Sequence, residues 1–121
     1  MVLRESGRAN EQAFNLLAVV NPTLDSNVAD GDLLLAFADA VLGSDSVAMN
    51  AARTALAKGL GSKTVGGAAA IAAEFSKNDR IANGVGIPAE SLMVDATVEL
   101  RQQLGINEFR SAVNTLKASG D

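Results

Sequence analysis

The 121-residue sequence predicts an all-α fold of about six helices in a compact bundle, and three observations carry that expectation. Alanine is abundant, alternating β-branched runs are scarce, and glycines punctuate the apolar stretches at regular intervals. A chain of this length can bury one core without cross-links, so residues 1–121 read as a single helical domain. Within it, residues 1–30 make a variable N-terminal helix and connection, and residues 31–121 the helical core.

The first helix is expected over about residues 10–20, stopping before Asn21-Pro22 because the residue ahead of a proline avoids helical backbone angles. Pro22 and the polar stretch to Asp30 form the one long connection, which leaves that helix loosely tethered. Asp30 or Asp32 can cap the second helix, whose LLLAFADAVL is apolar over more than one stripe. At about 100° per residue, Leu33, Leu34, Phe37 and Val41 share a face while Leu35 and Leu42 lie well around the cylinder. Such a helix is buried on two sides, and in so small a domain another subunit is a natural cover for one of them. The third helix starts at Ser44 or Asp45 and presents a narrow seam of Met49, Ala52, Leu56 and Leu60. Arg53 falls beside the seam: either its stem lies over apolar surface with its head in solvent, or it makes a salt bridge across a subunit contact.

Residues 58–64, KGLGSKT, look like a damaged phosphate-binding loop. A working one needs G-x-x-x-x-G-K-[ST], but Ala57 and Ser62 stand where its glycines belong, and the residues leading in have helical spacing where a strand is required. The stretch is read instead as a joint, with Gly59 or Gly61 ending one helix in the left-handed conformation and Ser62 capping the next. That fourth helix runs from Lys63 to about Val85. Gly66 and Gly67 near its start each cost about 1 kcal/mol relative to alanine unless a neighbouring backbone comes close, so close helix approach is expected there. Gly84 or Gly86 ends it, and Ile87-Pro88 turns the chain. A fifth helix over about residues 89–104 packs Met93, Thr97, Leu100 and Leu104 and stops at Gly105. Asn107 caps a last helix carrying Phe109, Ala112, Val113 and Leu116, and the ASGD tail is expected to fray.

Composition narrows the chemistry. Cysteine is absent, which excludes a disulfide framework, a thiol nucleophile and a Cys-ligated metal. Histidine is absent too, removing the commonest metal ligand and the commonest general base near neutral pH, so neither a metal nor a cofactor is expected. The net charge is −4, and no face gathers enough Lys or Arg to track a phosphate backbone. With four Phe and no Tyr or Trp, base-stacking platforms cannot be built either, and nucleic acid is not an expected partner. The start, MVLRESGRANEQ, lacks the pattern of a signal peptide. The most apolar glycine-containing run, residues 65–73, falls far short of the roughly 20 residues that cross a bilayer. A cytoplasmic protein with no membrane partner is the expectation.

From Leu33 to about Glu90 the chain resembles a known family. LLLAFADAVL, a helix ending in a GL-G-S joint, and AAAIAAEFSKNDRIANGVGIP are similar to the C-terminal half of the carboxymuconolactone decarboxylase and alkylhydroperoxidase D-like superfamily. Members often carry a phrase like F-N-x-x-N-R-x-A-x-x-x-G-[VI]-P. Phe75, Arg80, Ala82, Gly86, Ile87 and Pro88 fit it, whereas Ser76 and Asp79 replace the two asparagines. The resemblance implies an all-α, alkylhydroperoxidase D-like subunit that assembles with copies of itself, as dimers, trimers or hexamers. It supplies no catalytic residue. Peroxidase members use a C-x-x-C pair with a nearby His and Glu on a preceding helix, and decarboxylase members generally keep a histidine there. The corresponding stretch here, NEQAFNLLAVV, has neither residue type, so thiol peroxidase chemistry is excluded.

The richest polar constellation lies on the fourth helix: Glu74, Lys77, Asn78, Asp79 and Arg80. With Phe75 at the centre of the apolar face, Ile71 and Ala82 fall within about 40° of it and Asp79 about 40° to the other side. Asp79 therefore sits at the edge of the buried face. There it would either carry a proton or accept hydrogen bonds from backbone or from an arginine such as Arg53, fixing how two helices meet. Glu74 and Asn78 form a solvated pair one turn apart, and Asp39 shares a solvated face with Asp32. Three functions are compatible with these features. The first is a non-catalytic, self-associating helical protein similar to the family. The second is a cofactor-free enzyme acting on a small organic acid, with Asp79 or Glu74 as acid or base and Arg80 or Arg53 clamping a carboxylate. The third is a small-ligand carrier with an apolar cavity between alanine-rich helices.

Overall fold

The computed structural model describes residues 13–116. Helices α1 (Gly31–Leu42), α2 (Ser46–Leu60) and α3 (Ser62–Val85) pack on one another, and a chain of shorter helices follows: α4 (Ser91–Ala96), α5 (Val98–Gln103) and α6 (Val113–Leu116). Three 3-10 turns, Leu16–Val19, Ile106–Glu108 and Arg110–Ala112, complete an all-α bundle, and no strand occurs among the described residues.

The N-terminal expectation is corrected. Residues 10–12 lie outside the described part, and the remainder of the expected first helix is a single 3-10 turn. Asn15 holds extended backbone at its start, because its amide donates to the Asp25 and Ser26 carbonyls through Nδ2 and N–H, while its Oδ1 accepts from the Leu17 N–H. The connection over residues 21–30 folds back on this turn, with Asn27 Nδ2 donating to the Ala13 carbonyl at 2.9 Å. Side-chain amides thus outcompete helix growth, as short polar side chains do near chain turns. The segment is stitched to its neighbours where a loose tether was expected, and Ala18 is buried beneath it.

In α1 the capping expectation is half right. Asp30 occupies the cap position, but its backbone is left-handed at φ 53° and its side chain caps nothing. Phe37 is buried, Leu33, Leu34 and Val41 are half-buried, and Leu35 faces a small cavity shared with Leu16 and Val19. The second apolar side is therefore partly covered by the chain's own N-terminal turn, while Leu42 stays 64% exposed.

α2 follows the sequence closely. Asp45 caps it by accepting from the Val47 and Ala48 N–H groups at 2.8 and 3.1 Å, and Leu56 is completely buried between half-buried Met49, Ala52 and Leu60. At Gly59 a Cβ would lie 2.5 Å from the Leu33 Cδ1, so the end of that side chain would have to swing aside to admit a larger residue. The joint to α3 is tighter than expected: Gly61 alone, at φ 89° and ψ 156°, both ends α2 and precedes α3. Ser62 is already helical and caps nothing; Thr64 does the local work by donating its hydroxyl to the Leu60 carbonyl at 2.8 Å.

α3 matches its predicted span and ends at Gly86, whose left-handed φ of 70° lets the Gly86 and Ile87 N–H groups both return to the Ala82 carbonyl. The expected close approach at Gly66 and Gly67 is absent: a Cβ at either position would meet nothing within 4 Å. No residue of this helix is buried.

The fifth and sixth expected helices break differently. The span 89–104 is interrupted at Thr97, whose φ of −119° is outside the helical range. Its hydroxyl donates to the Met93 carbonyl at 2.6 Å, and the Arg101 guanidinium takes the Val94 carbonyl at 2.9 Å, so side chains replace the backbone bonds of one turn. Residues 89 and 90 stay outside α4: Glu90 is extended, and the Ala89 N–H is donated across the chain to Thr115 Oγ1. Gly105, left-handed at φ 66°, ends the segment as expected. Asn107 does not cap a last helix; it sits within a 3-10 turn, its Oδ1 engaged by Arg101, and regular α-helix begins only at Val113. The ASGD tail lies outside the described residues.

Candidate functional site

α1 and α3 diverge along a groove of about 640 Å³. α1 contributes Leu34, Phe37, Ala38 and Leu42; α3 contributes Ile71 and Phe75 to the floor and Asp79 and Arg80 to one end. Helical spacing explains this set, because Ile71, Phe75 and Asp79 recur every four residues and share one side of α3. The expected spacing of Ile71, Phe75 and Asp79 recurs in the groove lining, but the cover expected over it is missing. Phe75, expected at the centre of a buried face, is 67% exposed, and Ile71 is 63% exposed.

The predicted site residues separate accordingly. Asp79 and Arg80 come together at the groove end, both exposed. Asp79, expected at the edge of a buried face either as a proton carrier or as an acceptor from backbone or Arg53, is exposed and accepts no hydrogen bond among the described residues. Arg53 lies on the exposed side of α2, where NH1 donates to Asn50 Oδ1 at 3.2 Å, and does not line the groove. Arg80 Nε donates to Ser76 Oγ at 3.4 Å. Glu74 accepts weakly from Asn78, as the spacing indicated, and also forms an exposed ion pair with Lys77 at 2.7 Å that the sequence reading did not name. Asp32 and Asp39 are both solvent-exposed. No dry compartment surrounds any of these carboxylates, so the four candidate residues do not converge on one reacting position.

Two of the other cavities carry charged side chains away from the groove. The larger, about 670 Å³, lies between the N-terminal turn and α1 and is bordered by Asp25, Asp30, Asp32 and Asp39. Asp25 is occupied in a local turn, accepting from the Asn27 N–H at 2.8 Å, and no three acidic side chains gather as a metal group among the described residues. The smaller, about 350 Å³, lies among α4, α5 and α6 and is apolar except for Thr97, Arg101, Asn107 and Thr115. Arg101 is half-buried at its wall and donates to three neutral acceptors: Thr97 Oγ1, Asn107 Oδ1 and the Val94 carbonyl. Sequence reasoning missed this arginine. The available signal was the i, i+4 spacing of Thr97 and Arg101 beside the otherwise apolar Met93, Leu100 and Leu104.

Comparison of the chain with protein-family profiles, with curated proteins and with solved structures returns no match. Among the described residues, no helix is long and apolar enough to cross a membrane.

Proposed function

We propose that this protein is a non-catalytic helical module that works by self-association, burying the α1–α3 groove against a second copy. The observation that carries the reading is the contiguous apolar surface formed by Leu42, Ile71 and Phe75, each more than half exposed. Scattered apolar side chains are ordinary on a protein surface, but a connected groove lined by them favours a partner. A second copy is the favoured partner because apolar surface is the shared chemistry on both sides, and a twofold contact sets each groove against its own equivalent. The resemblance of residues 33–90 to the self-assembling alkylhydroperoxidase D-like superfamily agrees with it.

Light scattering with sedimentation at several concentrations tests the proposal. The native chain is expected as a dimer or larger closed assembly at micromolar concentration. Phe75→Asp, placing a carboxylate in the groove, is expected to raise the dissociation constant at least about tenfold by leaving a charge unpaired in the contact. A native chain that stays monomeric throughout, or a variant that assembles as before, overturns it.

A further inference from the structure

The pocket among α4, α5 and α6 shares no lining residue with the α1–α3 groove and has its own chemistry. We infer that it is a binding site for a small amphipathic carboxylate, with Arg101 holding the acid group and the apolar tail lying against Met93, Leu100, Ile106 and Leu116.

The argument starts from charge. A guanidinium carries five N–H donors and a permanent positive charge. Arg101 uses three of the donors, on Thr97 Oγ1, Asn107 Oδ1 and the Val94 carbonyl, at 3.2, 2.5 and 2.9 Å. All three acceptors are neutral. Among the described residues the one ion pair is Glu74–Lys77, far along the chain, so no carboxylate offsets this half-buried cation. The donors left over match the two oxygens of a carboxylate, which guanidinium groups bind through paired hydrogen bonds.

Orientation is the second element. The same three bonds fix the guanidinium on a broken helix: Thr97 interrupts the backbone, and the Val94 carbonyl, which accepts the Thr97 N–H at 3.4 Å, takes a shorter bond from Arg101 at 2.9 Å. Little side-chain freedom remains to be lost when a ligand arrives, which favours binding. The surroundings then select the ligand's body. At about 350 Å³ the pocket is small for a ligand site, and its walls are mostly hydrocarbon. Inorganic phosphate would find one cation and an apolar floor. A carboxylic acid with an alkyl or cyclic tail finds a complement for both its parts.

This site does not depend on self-association, and its readout is separate: ligand heat for one, particle mass for the other. Isothermal titration of the full chain uses octanoate as the probe and octan-1-ol as its uncharged counterpart. Octanoate is expected to bind saturably with one site per chain, and the alcohol at least about tenfold more weakly, because it forgoes the charge-assisted pair. Arg101→Gln is expected to bring octanoate down to the alcohol's affinity. Ala112→Phe, which fills the pocket while leaving the three Arg101 bonds in place, is expected to abolish binding of both. Circular dichroism melts establish which variants are folded; if Arg101→Gln is not, Ala112→Phe decides. Absence of saturable octanoate binding, equal affinity for acid and alcohol, or undiminished binding by folded Ala112→Phe overturns the assignment.

Discussion

α2 and α3 are consecutive, rich in alanine and separated by one residue, yet they meet opposite fates. α2 buries Leu56 completely, and its Gly59 sits against Leu33; α3 buries nothing, and its Gly66 and Gly67 face open space. The difference follows from length. At about 1.5 Å per residue, the 24 residues of α3 extend roughly twice as far as the 12 residues of α1 that pack along it. A short helix cannot cover a long one, so part of the apolar stripe outruns its partner. Periodicity states which face is to be covered; it does not state which chain covers it.

This contrast can be broken at three depths. Leu56→Ala carries the largest expected effect: truncating a fully buried leucine is expected to cost about 2–5 kcal/mol by denaturant titration. A loss below 1 kcal/mol, on the scale of an exposed site, would mean that α2 is not the centre of the core. Next comes Gly59→Val, which pushes the movable tip of Leu33 aside and is expected to cost about 1 kcal/mol. The smallest effect has the opposite sign. Gly66→Ala and Gly67→Ala relieve the helix of its most flexible residues and are each expected to stabilise by up to about 1 kcal/mol in thermal unfolding at low protein concentration. Destabilisation by Gly67→Ala that grows with concentration would place a partner's backbone over that position.

Where local signals were sufficient, the sequence was readable to within one or two residues. Asp45 begins α2, Gly86 ends α3 and Gly105 ends α5 because a cap or a left-handed turn needs only its immediate neighbours. The misses came from side chains acting over distance. Asn15 and Asn27 tie residues 13–15 down outside any helix through bonds spanning ten and fourteen positions, against an apolar pattern that otherwise suits a helix. At Thr97 the apolar spacing continues unbroken from Met93 to Leu104, yet one hydroxyl and one guanidinium divide the helix. The candidate site divides in the same way. The 100° rule set Ile71, Phe75 and Asp79 along one side of α3, whereas their exposure follows from the gap that α1 and α3 leave between them. Arg101 went unnoticed because its partners are assembled by the very break that periodicity could not show.

Gly61 aims the molecule. Its φ of 89° and ψ of 156° fall in a region open almost solely to glycine, and Thr64 clasps the far side of this pivot by bonding the Leu60 carbonyl. With so little slack, the azimuth of Phe75 is tied to that of Leu56. Inserting one residue at the start of α3 would turn the exposed stripe by about 100° while leaving the interior of α1 and α2 untouched. The molecule would then offer its surroundings a different side with nearly the same composition.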